Sequence, residues 1–282
     1  MKRALRVALS AFVLAACGGA QTQPEHVIVA STGTPTCPPN TIYNGVGCAT
    51  PLSDPTPDAG TPAHATGAPS VADEARDPRP LGRSPRPVEI LTKELGLLDQ
   101  LLAAVPQTAA DRPALLGRIG DQWFELAYAY GAQGRAAEAA AARRKALDAY
   151  DVLLRDHPNA PRGDEAAYFG GYLAELAGDF SGARKRYYVL IQRWPSSKWI
   201  GHAYYAFGAL FLDEARADPT KAALARQAFQ EVIKFPQSDA RPWAMLGLGQ
   251  AFELDGDDAK ARATFARLRA EFPSHPATAK AP

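Results

Sequence analysis

The chain has 282 residues, with 31 Lys and Arg against 30 Asp and Glu, a formal net charge of +1. That balance lacks the basic excess a nucleic-acid partner needs, and the interspersed signs along the last two thirds read as an ordinary solvated surface. Prolines and small residues crowd the first third, and apolar helix formers fill the rest, which divides the chain into a tether and a folded body.

Residues 1–16 begin with Lys2, Arg3 and Arg6 and continue as an apolar run, Val7 to Ala16, broken only by Ser10. This is the build of a secretory signal peptide, shorter than the roughly 20 apolar residues of a spanning helix. It ends in Leu14-Ala15-Ala16-Cys17-Gly18, which resembles the lipobox of bacterial lipoproteins. The resemblance implies that Cys17 is diacylated and becomes the new N-terminus. Gly18, rather than Asp, then favours the outer membrane. Buried acyl chains contribute about 0.8 kcal/mol per CH₂, so two of them anchor a protein stably. Loss of residues 1–16 removes three positive charges and leaves the mature chain at −2.

From Gly18 to Pro87 no period of 3.6 or 2 residues is sustained. Runs such as Asp54-Pro55-Thr56-Pro57 and Arg83-Ser84-Pro85-Arg86-Pro87 have too little apolar surface to offset ordering entropy. Residues 17–87 are therefore predicted to be a lipidated N-terminus and a disordered Pro-rich linker. At ~3.1 Å per residue its extended limit is on the order of 200 Å. One island interrupts it, from Cys37 to Cys48. Asn44-Gly45 suits a tight primed turn that brings the flanks together. With Cys17 taken by lipid, an even pair remains in an oxidising compartment, so a Cys37–Cys48 disulfide is expected. Two cysteines without a histidine at ligand spacing make a poor metal site.

Helical periodicity begins at Val88. Ile90, Leu91, Leu95, Leu98, Leu101 and Leu102 recur at three- and four-residue steps before Val105-Pro106. Residues 88–111 thus read as an N-terminal capping helix with its connection. Asp111 is the expected N-cap of the next helix, with Pro113 just inside it.

Four related units follow within 112–273. The last runs Met245-x2-Leu248-Gly249-x2-Phe252, Gly256, Ala261-x3-Phe265, Leu268, Pro273. The first runs Trp123-x2-Leu126-Ala127-x2-Tyr130, Ala146-x3-Tyr150, Leu153, Pro158. Between them lie Gly178, Ala183-x3-Tyr187, Leu190, Pro195, and then Tyr204-x2-Phe207-Gly208-x2-Phe211, Ala225-x3-Phe229, Pro236. The closing prolines are 37, 41 and 37 residues apart. This pattern resembles the tetratricopeptide repeat, which implies an all-α helical-hairpin solenoid. Unit one carries about seven extra residues in the alanine-rich stretch 135–142, predicted to lengthen a helix. Unit three carries about five around Ala215–Thr220, predicted to form a longer corner. In unit two, Ala167 and Gly170 stand where large residues are usual. Trp194-Pro195-Ser196-Ser197, Phe235-Pro236-Gln237-Ser238 and Phe272-Pro273-Ser274 recur at unit boundaries. Each offers a packing ring, a helix stop and a serine to cap the next helix. The tail, 274–282, is short and polar, and is predicted to be disordered.

No nucleophile–base set, HExxH, GxSxG or phosphate-binding glycine loop stands out, so no enzyme, metal or cofactor is implied. The repeat resemblance implies ligand-facing residues at four positions of each first helix. In unit one these are Asp121, Phe124, Tyr128 and Gly131, and in unit two Glu165, Tyr168, Tyr172 and Glu175. Unit three supplies His202, Tyr205, Ala209 and Leu212, and unit four Trp243, Leu246, Gln250 and Glu253. An aromatic face with scattered acids suits the centre of a protein interface; the same rings could also fill the inside of a short solenoid. The repeat style is similar to envelope tetratricopeptide lipoproteins, including those of myxobacterial gliding and pilus machinery. The expected function is a lipid-anchored scaffold for outer-membrane or periplasmic proteins, facing the periplasm. A cell-wall-associated or division-coordinating module and an outer-membrane-protein assembly lipoprotein are the alternatives.

Overall fold

The computed structural model describes residues 85–282, together with two short strands, β1 (Ile42–Tyr43) and β2 (Cys48–Ala49). The signal peptide, Cys17, Cys37 and most of the expected linker lie outside the described residues. The strands pair antiparallel, Ile42 with Ala49 and Tyr43 with Cys48. The primed turn expected at Asn44-Gly45 lies outside the described residues.

Ten helices are described from Val88 on: α1 (Val88–Ala104), α2 (Arg112–Ala132), α3 (Ala136–Asp156), α4 (Gly163–Leu176), α5 (Phe180–Arg193), α6 (Ile200–Ala215), α7 (Ala222–Ile233), α8 (Arg241–Leu254), α9 (Asp258–Glu271) and α10 (Pro276–Ala279). Helices α2 to α9 form four antiparallel pairs, each packed on the next, and α1 packs on α2. The first helix of unit three also packs on the first helix of unit four, α6 on α8. This is the solenoid expected from the repeat pattern. It buries one long cluster from Leu116 to Ala277 and a second between α1, α2 and α3.

A glycine in each first helix sets the pairing. Cβ atoms added at Gly120, Gly171 and Gly249 would lie 2.5, 2.5 and 2.2 Å from the rings of Tyr150, Tyr187 and Phe265. Gly208 meets Phe229 in the same way at 2.8 Å. Each ring therefore rests on bare backbone, and the two helices approach closely. Gly171 and Gly249 precede the turn glycines Gly178 and Gly256, at φ 78° and 72°, by one heptad. Gly120 precedes Gly134 by two. Unit one is therefore one heptad longer on both of its helices, α2 and α3 being 21 residues each. The expected extension on the second helix is present, and its mate on the first helix is the part that pattern matching at Trp123 did not reveal. Unit three takes its extra residues as a 3-10 turn, Pro219–Lys221, as expected of a longer corner.

Two boundaries differ from expectation. Arg86, expected in the linker, packs against the helical body. Its guanidinium donates to Glu125 at 2.7 and 2.8 Å, to Glu94 at 2.8 Å and to Gln122 at 2.9 Å. The bonds to Glu125, and then those to Glu94, hold Arg86 protonated far above its ordinary value. The tail also folds: His275 Nδ1 accepts from the Ala277 N–H at 3.1 Å, Thr278 Oγ1 donates to the Phe272 carbonyl at 2.6 Å, and Ala277 is buried. Pro276 opens this turn with its φ already set.

Caps vary by site. Asp111 makes no side-chain cap bond, whereas Asp179 accepts from the Gly182 N–H at 2.8 Å and Asp257 from the Lys260 N–H at 3.2 Å. Ser197 and Ser238 accept from the Trp199 and Ala240 N–H groups, ordering the turn just before the helix rather than the helix itself. Asp179→Ala is expected to destabilise the solenoid by about 1 kcal/mol, read by urea unfolding. At Asp257 the Lys260 side chain, and then its backbone N–H, hold the carboxyl below its ordinary range. A depressed folded value means that its stabilisation is full above the unfolded carboxylate range and disappears as pH falls through the lower folded value. Asp257→Asn should therefore flatten the acid limb of the stability curve; an unchanged limb would refute the pairing.

Candidate protein-interaction face

Composition decides how the first helices sit. Helix α6 carries no Asp, Glu, Lys or Arg before Asp213, and α4 none between Glu165 and Glu175. Helices apolar on nearly every side become buried, and every residue from Ile200 to Leu212 is buried. Seven of the expected face residues go with them: Phe124, Tyr168, Tyr172, His202, Tyr205, Trp243 and Leu246.

Their rings form a packed series rather than an open lining. Phe124 meets Phe169 edge-on at 5.8 Å and Tyr172 at 6.1 Å. Tyr168 stacks on Trp199 at 5.1 Å with 9° between planes, and His202 lies 5.9 Å from Tyr168 and 5.8 Å from Trp199. Tyr205 lies 5.9 Å from Phe229, and Trp243 meets His275 edge-on at 5.2 Å. The Lys280 ammonium sits 5.0 Å over the Trp243 ring, which ties the tail to α8. Among the other face positions, Glu175, Ala209 and Leu212 are buried, Glu175 accepting from Tyr187 Oη at 2.6 Å. Phe169 and Trp199 belong to the same series but fall outside the four template positions, which is why pattern transfer passed over them.

Six expected residues remain reachable. Tyr128 is 49% exposed, Gly131 and Glu253 are exposed, and Asp121, Glu165 and Gln250 are half-buried. The added heptad accounts for Tyr128: counted from Gly120, it lies beyond the first-helix length of the other units, on the overhang of α2. Glu165 accepts from Arg162 Nε at 2.7 Å, Arg162 pairs with Asp121 at 3.0 Å, and Asp121 accepts from Tyr150 Oη at 2.7 Å. Glu165 above all, with Asp121, keeps the Arg162 guanidinium charged well above its ordinary value. This polar chain joins units one and two.

Among the described residues no group of three or more His, Cys, Asp or Glu could hold a metal ion, and no helix is long and apolar enough to cross a membrane. The fold defines an all-α, tetratricopeptide-type helical solenoid. The tetratricopeptide repeat family matches residues 243–275, the last unit. Two solved structures of nearly identical TPR-like repeats of a kinesin light chain from Podosopora anserina are similar to the chain. One has 16% identity and a TM-score of 0.43, covering 64% of this chain and 85% of that one. The other has 17% identity and a TM-score of 0.40, covering 64% and 86%. No curated protein matches the chain.

Proposed function

We propose that this solenoid is a lipid-anchored protein–protein interaction scaffold of the bacterial cell envelope. Cys17 holds it at the outer membrane, facing the periplasm, as a subunit or assembly factor of an outer-membrane or periplasmic complex such as gliding or pilus machinery. The observation that carries the reading is the coupling, in one chain, of the Leu14-Ala15-Ala16-Cys17 box to a solenoid whose class works by contact rather than chemistry. Tyr128, Glu165, Gln250 and Glu253, all reachable members of the first-helix face, are the partner-facing residues in this reading. The Cys37–Cys48 disulfide braces the tether.

Cys17→Ser is expected to release the protein from membranes into the soluble fraction and to abolish incorporation of labelled palmitate. Persistent membrane attachment of the Cys17→Ser chain would overturn the anchor. Crosslinked partners of the wild-type chain should be recovered in lower yield with Tyr128→Ala/Gln250→Ala/Glu253→Ala; equal yield would remove this face from the interaction.

A further inference from the structure

Each unit closes on a proline, and the second residue after it sits in the turn that leads to the next helix. After Pro158, Pro195, Pro236 and Pro273 that place holds Ala160, Ser197, Ser238 and His275. Ala160 has no side-chain acceptor. The two serines and the histidine each accept from the backbone N–H two residues on: Trp199 to Ser197 at 3.0 Å, Ala240 to Ser238 at 3.3 Å, and Ala277 to His275 Nδ1 at 3.1 Å. One local bond is thus made three times. Twice the acceptor is a hydroxyl, which keeps its lone pairs in acid; at the last boundary it is an imidazole, whose lone pair a proton occupies near neutral pH.

The bond at His275 holds the last turn of the array. Ala277, four residues after Pro273, corresponds to Ala240, four after Pro236, and both are fully buried. Helix α10 is therefore placed as the opening turn of a further first helix, packed on α8 and α9. At four residues it is too short to be stable by itself, so it depends on its cap and on its contacts. The His275 ring lies edge-on 5.2 Å from Trp243 and 6.4 Å from Phe272. Three charged groups surround these rings. Arg241 of α8 lies 5.4 Å from the centre of the Phe272 ring, and Lys280, just past α10, lies 5.0 Å from that of Trp243. Glu271 of α9 is already shared by Arg241 at 2.6 Å and Arg267 at 2.5 Å.

We propose that His275 makes the docking of α10 pH-sensitive: a proton on Nδ1 removes the acceptor of the Ala277 N–H, and the turn lifts from α8 and uncovers Trp243. Because Nδ1 accepts, the docked ring is the neutral tautomer with its proton on Nε2. Protonation sets a donor against a donor, and turning the ring over offers a carbon in place of the lone pair. The undocked turn therefore binds more protons than the docked one. Docking is full above the ordinary imidazole range, near ~6.5, and weakens as pH falls through it. Ser197 and Ser238 keep their bonds throughout, which confines the change to this end of the solenoid.

The test is amide hydrogen exchange, read by mass spectrometry on the full chain at pH 7.5 and pH 5.5 and divided by the intrinsic rate at each pH. Protection of the wild-type segment 273–282 should fall about fivefold at the lower pH, the equivalent of one cap bond, while α9 keeps its protection. His275→Ser supplies the hydroxyl that Ser238 supplies and should stay protected at both pH values. His275→Ala should be weakly protected at both. Unchanged wild-type protection overturns the proposal, as does an equal fall in His275→Ser, which would assign the pH effect to other groups. Weak protection of His275→Ser at both pH values also overturns it, because docking would then rest on the ring contacts with Trp243 and Phe272. A parallel loss from α9 would mean general acid unfolding and would overturn it too.

Discussion

Phe229→Ala is expected to destabilise the solenoid by about 3–5 kcal/mol and to uncouple units three and four. The ring is fully buried, and it touches the backbone of two first helices at once: Cβ atoms built at Gly208 and Gly247 would lie 2.8 and 2.5 Å from it. Removing it therefore opens a cavity at the junction of α6, α7 and α8. Chemical unfolding should lose cooperativity as well as midpoint, because in a solenoid each unit is stabilised by its neighbours. The converse test is Gly247→Ala. Intrinsic helix propensity favours alanine by about 1 kcal/mol, while the clash with the ring opposes it by about 1–3 kcal/mol. Net destabilisation is the expected sign, and a stabilised variant would show that the helices do not approach so closely.

Glu214→Ala should cost a similar amount, about 3–5 kcal/mol, for a different reason. The Arg184 guanidinium of α5 is 3% exposed and bonds to the Glu214 carboxylate of α6, joining units two and three. It also lies 5.7 Å from the centre of the Phe211 ring. Deleting the carboxylate takes a counter-charge away from a positive charge held in a low-dielectric place. Replacing both partners, as in Arg184→Met/Glu214→Leu, removes the charge together with its counter-charge and should recover most of the loss. A double variant as unstable as Glu214→Ala would mean that the cost comes from packing instead.

The repeat architecture was legible because its marks are local. Glycine at the turns, alanine and a ring on the second helix, and a proline at each close all act within one hairpin. The charge-free stretch of α6 carried a further message, that such a helix is buried, and it speaks against an open aromatic lining at His202 and Tyr205. Other features were not legible. The second heptad of unit one is shared between α2 and α3, and only the seating of Tyr150 on Gly120 shows it, because heptad spacing lets the Trp123 frame and the Gly120 frame match the pattern equally well. The Trp199–Tyr168 stack and the Arg184–Glu214 pair join residues 31 and 30 positions apart in different units, and no period predicts which side chains meet across that gap.

By itself, then, the sequence determined the helix-pair array, the place of its turns and stops, and the lipobox resemblance at Cys17, since each depends on residues within about one repeat. The tertiary structure alone decided which apolar residues are packing and which are surface. Burial depends on the neighbour a helix receives, so Tyr168 disappears between units while Leu97 and Leu101, equally apolar, are exposed, with no described helix packed over them.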